Sequence, residues 1–229
     1  MEEVIKSAVS DAKAIMEGGF DAVIVENFGD TPFFKTAVPP ETVAAMTRAA
    51  VEIRREIEGS IPLGFNVLRN DPAAALGLCA VCDGDFIRVN VHTGAMLTDQ
   101  GIIEGDAAAT VRKRDQICPE AGIFADILVK HATPLAPISI EQAAKDTWHR
   151  GKADALIISG TGTGEATDLA DLKAVREAVP EAQILVGSGA TAGNAKELLE
   201  FADGLIVGTS LKNGEAIDPA KVAELRAAC

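Results

Sequence analysis

GFDAVIVE, residues 19–26, decides the reading of this chain because it recurs. CDGDFIRVN at 82–90, KADALIISG at 152–160 and FADGLIVGT at 201–209 repeat its plan: a small or acidic residue, four or five apolar residues, then a polar or glycine-containing exit. Weaker copies lie between them, IPLGFNVLRN at 61–70, AGIFADILVKH at 121–131 and AQILVGSG at 182–189. Each copy reads as a short buried strand. The intervening segments carry helical patterns, among them PPETVAAMTRAAVEIRREI, DPAAALGLCAVC, EGDAAATVRKRDQI and DLADLKAVREAV. Pro39, Pro40, Asp71, Ser139 and Asp218 stand where helix N-termini belong.

Strands that alternate with helices at intervals of about 20–40 residues specify successive βα units and a parallel sheet. No linker interrupts them, so residues 1–229 are expected to form one domain. The expected fold is α/β, a TIM (β/α)8-type barrel. About seven strands are counted and the chain opens on a helix, so the first of the eight barrel strands is missing from the pattern. The strands begin after Gly, Pro, Asp or Ala and end in flexible or reactive residues. That polarity suits an active site built from βα loops at the C-terminal face of a barrel, although a doubly wound sheet shares it.

At 48% hydrophobic the chain can bury a sizeable core, and with 4% aromatic residues that core must be mainly aliphatic. A net charge of −13 argues against a nucleic-acid partner, since phosphate backbones are held by clustered Lys and Arg. No stretch approaches the ~18 apolar residues of a membrane helix. The N-terminal MEEVIKSAVSDAKAIMEGG is acidic and has no basic segment before an apolar run. It reads as an amphipathic helix and not as a signal peptide, and a soluble cytoplasmic protein is expected. The acidity also argues against direct docking on an anionic membrane without a partner protein. Cys79 and Cys82 form a C-x-x-C, with no second pair and no His at zinc-like spacing. Packing is the expected use of these thiols.

Period-two alternation sorts the strand faces. In DFIRVNV, Ile87, Val89 and Val91 share one face, and Arg88 with Asn90 share the other. In IFADILVK, Ile127 and Val129 oppose Asp126, Leu128 and Lys130. The apolar faces should meet helices, which turns Arg88, Asn90, Asp126, Lys130 and also Asn66 toward the barrel axis. Arg88 and Asp126 can form an internal ion pair, since charges there are costly unless matched. Lys130 and Asn90 lie nearer the exits. A partly desolvated Lys130 can act as base, Schiff-base nucleophile or anion clamp. His131 and His92 follow strand exits and join the candidates; His149, beside Trp148 and Arg150, is expected at the surface. In ENFGDTPFF, Glu26 is the candidate for chemistry and Asn27 for ligand or loop hydrogen bonding, with Phe33 and Phe34 anchoring the loop by packing.

ILVGSGAT (184–191) and LIVGTSLK (205–212) each end a β-run in Gly, a small hydroxyl residue, then Gly or Ser. Successive backbone N–H groups in such turns make an anion nest. In barrels the loops after the last two strands commonly hold phosphate. Gly187, Ser188, Gly189, Gly208, Thr209 and Ser210 are therefore the expected phosphate site. ISGTGTGEATD (158–168), with Ser159 and Gly160, is a third Gly/Thr loop able to close over a ligand; it lacks the order of a P-loop.

Taken together, VIVENFGDTPFF, PLGFNVLRNDP, FIRVNVHTGAMLTDQGIIEG, ADILVKHA, ALIISGTGTGEATD, VGSGAT and DGLIVGTSLK resemble the BtpA family, over residues 2 to 225. The resemblance implies a phosphate-binding barrel. It also implies a link to biogenesis or stability of photosystem I, the role of the family's founding cyanobacterial member, a peripheral thylakoid protein. Relatives in archaea and non-photosynthetic bacteria imply an ancestral enzymatic role. The family usually begins with a further strand bearing a Met/His-Leu-Pro-Pro-Leu-Pro-like exit, which this sequence does not contain. Two functions follow as expectations: an enzyme acting on a small phosphorylated metabolite, or a non-catalytic assembly factor that uses the barrel as scaffold. No cofactor is evident; Glu26, Asp30, Asp99 and Glu104 offer oxygens for a divalent metal without indicating one. Self-association stays open.

Overall fold

Side-chain caps fix where the helices start. The carboxylates or hydroxyl of Asp71, Asp106, Ser139, Asp168 and Asp218 accept from backbone N–H groups two or three residues on, and Pro40 opens its helix at the first position. The computed structural model describes residues 1–160 and 167–229; the middle of the third Gly/Thr loop lies outside them. The helices are α1 (Glu2–Glu17), α2 (Pro40–Glu56), α3 (Pro72–Cys82), α4 (Ala107–Ile117), α5 (Ile140–Lys145), α6 (Leu169–Ala178), α7 (Ala195–Leu198) and α8 (Pro219–Ala228). Among the described residues no helix is long and apolar enough to cross a membrane.

The strands are β1 (Val23–Glu26), β2 (Leu63–Asn66), β3 (Phe86–Val89), β4 (Ala95–Thr98), β5 (Gly101–Glu104), β6 (Gly122–Ile127), β7 (Ala132–Pro134), β8 (Ala155–Ile158), β9 (Ile184–Val186), β10 (Gly204–Leu205), β11 (Lys212–Asn213) and β12 (Ala216–Ile217). Seven run parallel in the order β1-β2-β3-β6-β8-β9-β10, as the repeat predicts, with β1 and β10 as its edges. An antiparallel sheet, β5-β4-β7, was not legible in the sequence. It knits the excursion after β3 to the segment after β6. Its hairpin turns on Asp99-Gln100 before Gly101 (φ 97°), which is not one of the strong hairpin dipeptides.

Helix-facing strand residues build the core. Leu63, Phe65, Ile87, Val89 and Ile123 pack under the first helices, and Leu156, Ile158, Ile184 and Val186 under α5 and α6. Two aromatic rings occupy the floor of the barrel interior. Phe86 and Phe124 stack at 4.5 Å, and Gly64 leaves the room: a Cβ there would lie 2.2 Å from the Phe86 ring.

The repeated acidic residue of the sequence pattern acts at the strand starts. Asp85 exchanges two bonds with Leu63, its N–H giving to Leu63 O and its carboxylate accepting from Leu63 N, both at 2.8 Å. Asp154 does the same with Ile123, and Asp203 with Ile184, again at 2.8 Å throughout. Each carboxylate also holds an arginine from the helix that precedes the first strand of its pair: Arg54 on α2, Arg114 on α4 and Arg176 on α6, at 2.7, 3.0 and 2.7 Å. A fourth pair, Asp21 with Arg226 of α8 at 3.3 Å, spans the seam between the two edge strands.

Two expectations are corrected here. The strand alternation stops at Ile127: Leu128 takes φ 50° and packs with the apolar clusters outside the barrel, not with Asp126 and Lys130. Phe34 is 56% exposed, so it does not anchor its loop; Phe33 is partly buried against Phe28, ring centroids 6.3 Å apart.

Candidate active site

The polar residues on the inward faces of successive strands meet at the upper end of the barrel. Arg88 of β3 donates Nε and Nη2 to the two carboxylate oxygens of Asp126 on β6, both at 2.8 Å. Asp126 also accepts from Asn90 Nδ2 at 3.0 Å and from Ser159 Oγ at 3.1 Å. Its side chain is fully buried. On the other side, Arg88 Nη1 lies 3.5 Å from Glu26 Oε1, which accepts from Asn66 Nδ2 at 2.8 Å. One guanidinium therefore sits at the centre of a network that joins residues of β1, β2, β3 and β6 with Ser159, just past β8. Burial works against the charge of Arg88, but Asp126 and Glu26 outweigh it and raise its pKa. Asp126 is a saturated acceptor and holds the network together; Glu26 keeps an accessible edge, with 26% of its side chain exposed.

Above this network lies a cavity of roughly 350 Å³ lined by Glu26, Asn66, Arg69, Arg88, Asn90, Asp99, Lys130 and His131, with Phe28, Thr31, Phe33 and Leu68. Lys130 is half-buried and, among the described residues, its ammonium makes no ion pair. Burial lowers its pKa first, and the guanidiniums of Arg88 and Arg69 add to the effect against Glu26 and Asp126. The amine is thereby made easier to deprotonate beside a carboxylate, which is the arrangement that proton transfer or carbonyl addition needs. A second cavity, of roughly 400 Å³, lies beneath the β4–β7 sheet; its walls are mostly apolar, with Val91, Met96, Ile127, Leu128, Val129, Pro134 and Ile138, and Asn90 borders both.

Six of the residues picked from sequence, Glu26, Asn66, Arg88, Asn90, Lys130 and His131, thus line one cavity, with Asp126 beneath it. Asn27 lies beside it in a loop role: its amide accepts from Leu68 N at 2.7 Å and donates to Leu68 O at 3.3 Å. His92 is 1% exposed and turned to Gly151 O, 2.8 Å from Nε2, away from both cavities. Arg69 escaped the sequence reading. It sits past the end of β2, where alternation carries no facing information, and the only signal was a lone cation in the exit LRND.

The glycine loops come together at a separate corner. Ser210 Oγ donates to Ala190 O at 2.7 Å, and Gly160 N donates to Ser188 Oγ at 3.0 Å. Gly189 uses φ 73°, which favours glycine. Gly187 abuts the network, since a Cβ there would lie 2.9 Å from Ser159 Oγ and 3.3 Å from Arg88 Nη2. Gly208 and Thr209 are exposed. For metal, Glu26 and Asp99 reach the cavity while Asp30 and Glu104 do not. Among the described residues no three His, Cys, Asp or Glu side chains converge as a metal site would require.

Known proteins resemble this chain over nearly all of its length. The family model described as the BtpA family matches residues 1–228. A photosystem I biogenesis protein BtpA of Synechocystis sp. is 44% identical over 223 residues, 96% of this chain and 77% of that protein. An uncharacterized protein of Pyrococcus horikoshii is 45% identical over 214 residues, 93% of this chain and 80% of that protein. Among solved structures, thiamine phosphate pyrophosphorylase from Pyrococcus furiosus superposes with a TM-score of 0.63 over 99% of this chain and 91% of that one, at 15% identity, a likeness of fold.

Proposed function

Because the chain belongs to the BtpA family, we propose that it is a barrel enzyme acting on a small phosphorylated metabolite. The phosphate rests on the Gly187–Gly189 and Gly208–Ser210 corner, and the reacting carbon meets Lys130 and Glu26. The observation that carries this reading is Lys130 itself, a half-buried amine without an ion pair among the described residues, in a cavity whose Arg88 abuts Gly187 of the glycine corner. Lys130 takes up a proton or adds to a carbonyl; Glu26 exchanges the proton; the Arg88–Asp126 pair fixes the geometry beneath them. A thermal-shift screen of phosphorylated sugars and acids at millimolar concentration tests it. A ligand at about a hundred times its Kd stabilises by about 2.7 kcal/mol, and a domain of this size gains about 2–4 °C per kcal/mol. A screen in which no phosphorylated compound moves Tm counts against the proposal.

The name of the Synechocystis relative supports a second reading, an assembly or stability factor that uses the barrel as scaffold. The two part at Lys130→Ala: an enzyme loses its biological activity in a complemented deletion strain, and a scaffold retains it.

A further inference from the structure

Arg69 is a buried cation that touches no carboxylate among the described residues. It is 5% exposed, its Nη2 donates to Lys130 O at 2.7 Å, and its Nε is buried with no partner. Among the described residues no carboxylate lies within 4 Å of it. An uncompensated buried charge is costly, and the bidentate carboxylate on Arg88 is what the same barrel supplies where compensation is built in. Lys130, on the same cavity, likewise has no ion pair among the described residues. Asn90, 3% exposed, uses its amide N–H on Asp126 and leaves Oδ1 buried without a donor.

The charges around the cavity select the ligand. Arg88 is neutralised by Asp126, which leaves Arg69 and Lys130 facing Glu26 and Asp99. A singly charged group disturbs that balance less than a doubly charged phosphate does, and a planar carboxylate matches the edge of a guanidinium. We propose that Arg69 forms a carboxylate-binding subsite beside Lys130, with Asn90 Oδ1 accepting from a hydroxyl on the adjoining carbon. The substrate is then a hydroxy acid at this end. The assignment rests on the phosphorylated-metabolite reading only for the other end of the ligand.

Calorimetric titration of the full chain with glycolate, acetate and inorganic phosphate tests it, in the unaltered protein and in Arg69→Gln, Arg69→Lys and Gly208→Asp. Glycolate should bind the unaltered protein more tightly than acetate. Arg69→Gln should weaken glycolate by about 10- to 100-fold, the range expected for a charged hydrogen bond, and leave phosphate nearly unchanged, with Arg69→Lys in between. Gly208→Asp, at an exposed glycine with open space around it, should weaken phosphate and spare glycolate. If glycolate does not bind, or binds a folded Arg69→Gln variant as well as the parent, the subsite is wrong. If glycolate follows Arg69 while phosphate ignores Gly208→Asp, the loop phosphate reading falls and the subsite stands. Protection of Lys130 from acetic anhydride by glycolate, read by mass spectrometry on the unaltered protein, needs no variant; absence of protection also overturns it.

Discussion

At the scale of single residues, Asp126 and His92 show how differently two buried polar groups are held. Asp126 has four donors around it, so removing its charge strands Arg88. Asp126→Asn should cost about 3–5 kcal/mol of stability, the range for a broken buried pair, measured by urea denaturation; a loss under about 1 kcal/mol would mean that Arg88 finds another partner. Burial lowers the pKa of His92 despite the bond to Gly151. The unfolded chain takes up that proton near pH 6.5 and the native one only at lower pH, so the unfolded state binds more protons between the two values and stability falls as pH drops below about 6.5. The gap in Tm between the parent and His92→Gln should therefore narrow from pH 7.5 to pH 5. Facing was legible for Asn66, Arg88 and Asp126 because they lie inside strands, and for Asn90 because it follows β3 directly. It failed for Leu128, where a left-handed residue ends the alternation, and for Arg69, whose loop has no period to read.

At the scale of elements, the bracket between strand starts explains why the repeat begins with an acid. Asp154 serves a strand N–H and an arginine at once, so Asp154→Ala leaves Ile123 N unsatisfied and leaves Arg114 with Asp115 alone. It should cost about 1–3 kcal/mol. Asp21→Ala removes only the exposed contact with Arg226 and should cost under about 1 kcal/mol. Equal losses in the two variants, by chemical denaturation, would show that the bracket is no more than a surface ion pair. The brackets fall at β3, β8 and β10, every second strand of the sheet. The sequence made the acid visible and left its partners hidden, because Arg54, Arg114 and Arg176 sit in helices remote from the residues they hold.

At the scale of the whole molecule, the seven parallel strands, the opening helix and the polarity of the sheet were readable from the repeat alone, because buried parallel strands are written as uninterrupted apolar runs. The β5-β4-β7 sheet was not, since short two-faced strands at a rim resemble loops. That sheet alters what change the fold can absorb. In a barrel the loops at the active face vary one by one, each over its own strand, which lets one scaffold host many chemistries. Here the pairing of Leu97 with Thr133 and of Met96 with Pro134 ties the excursion after β3 to the segment that carries Lys130 and His131. The two stretches form one heritable unit: transplanted alone, either arrives without its partner strand, and new specificity at this rim has to be acquired by both together.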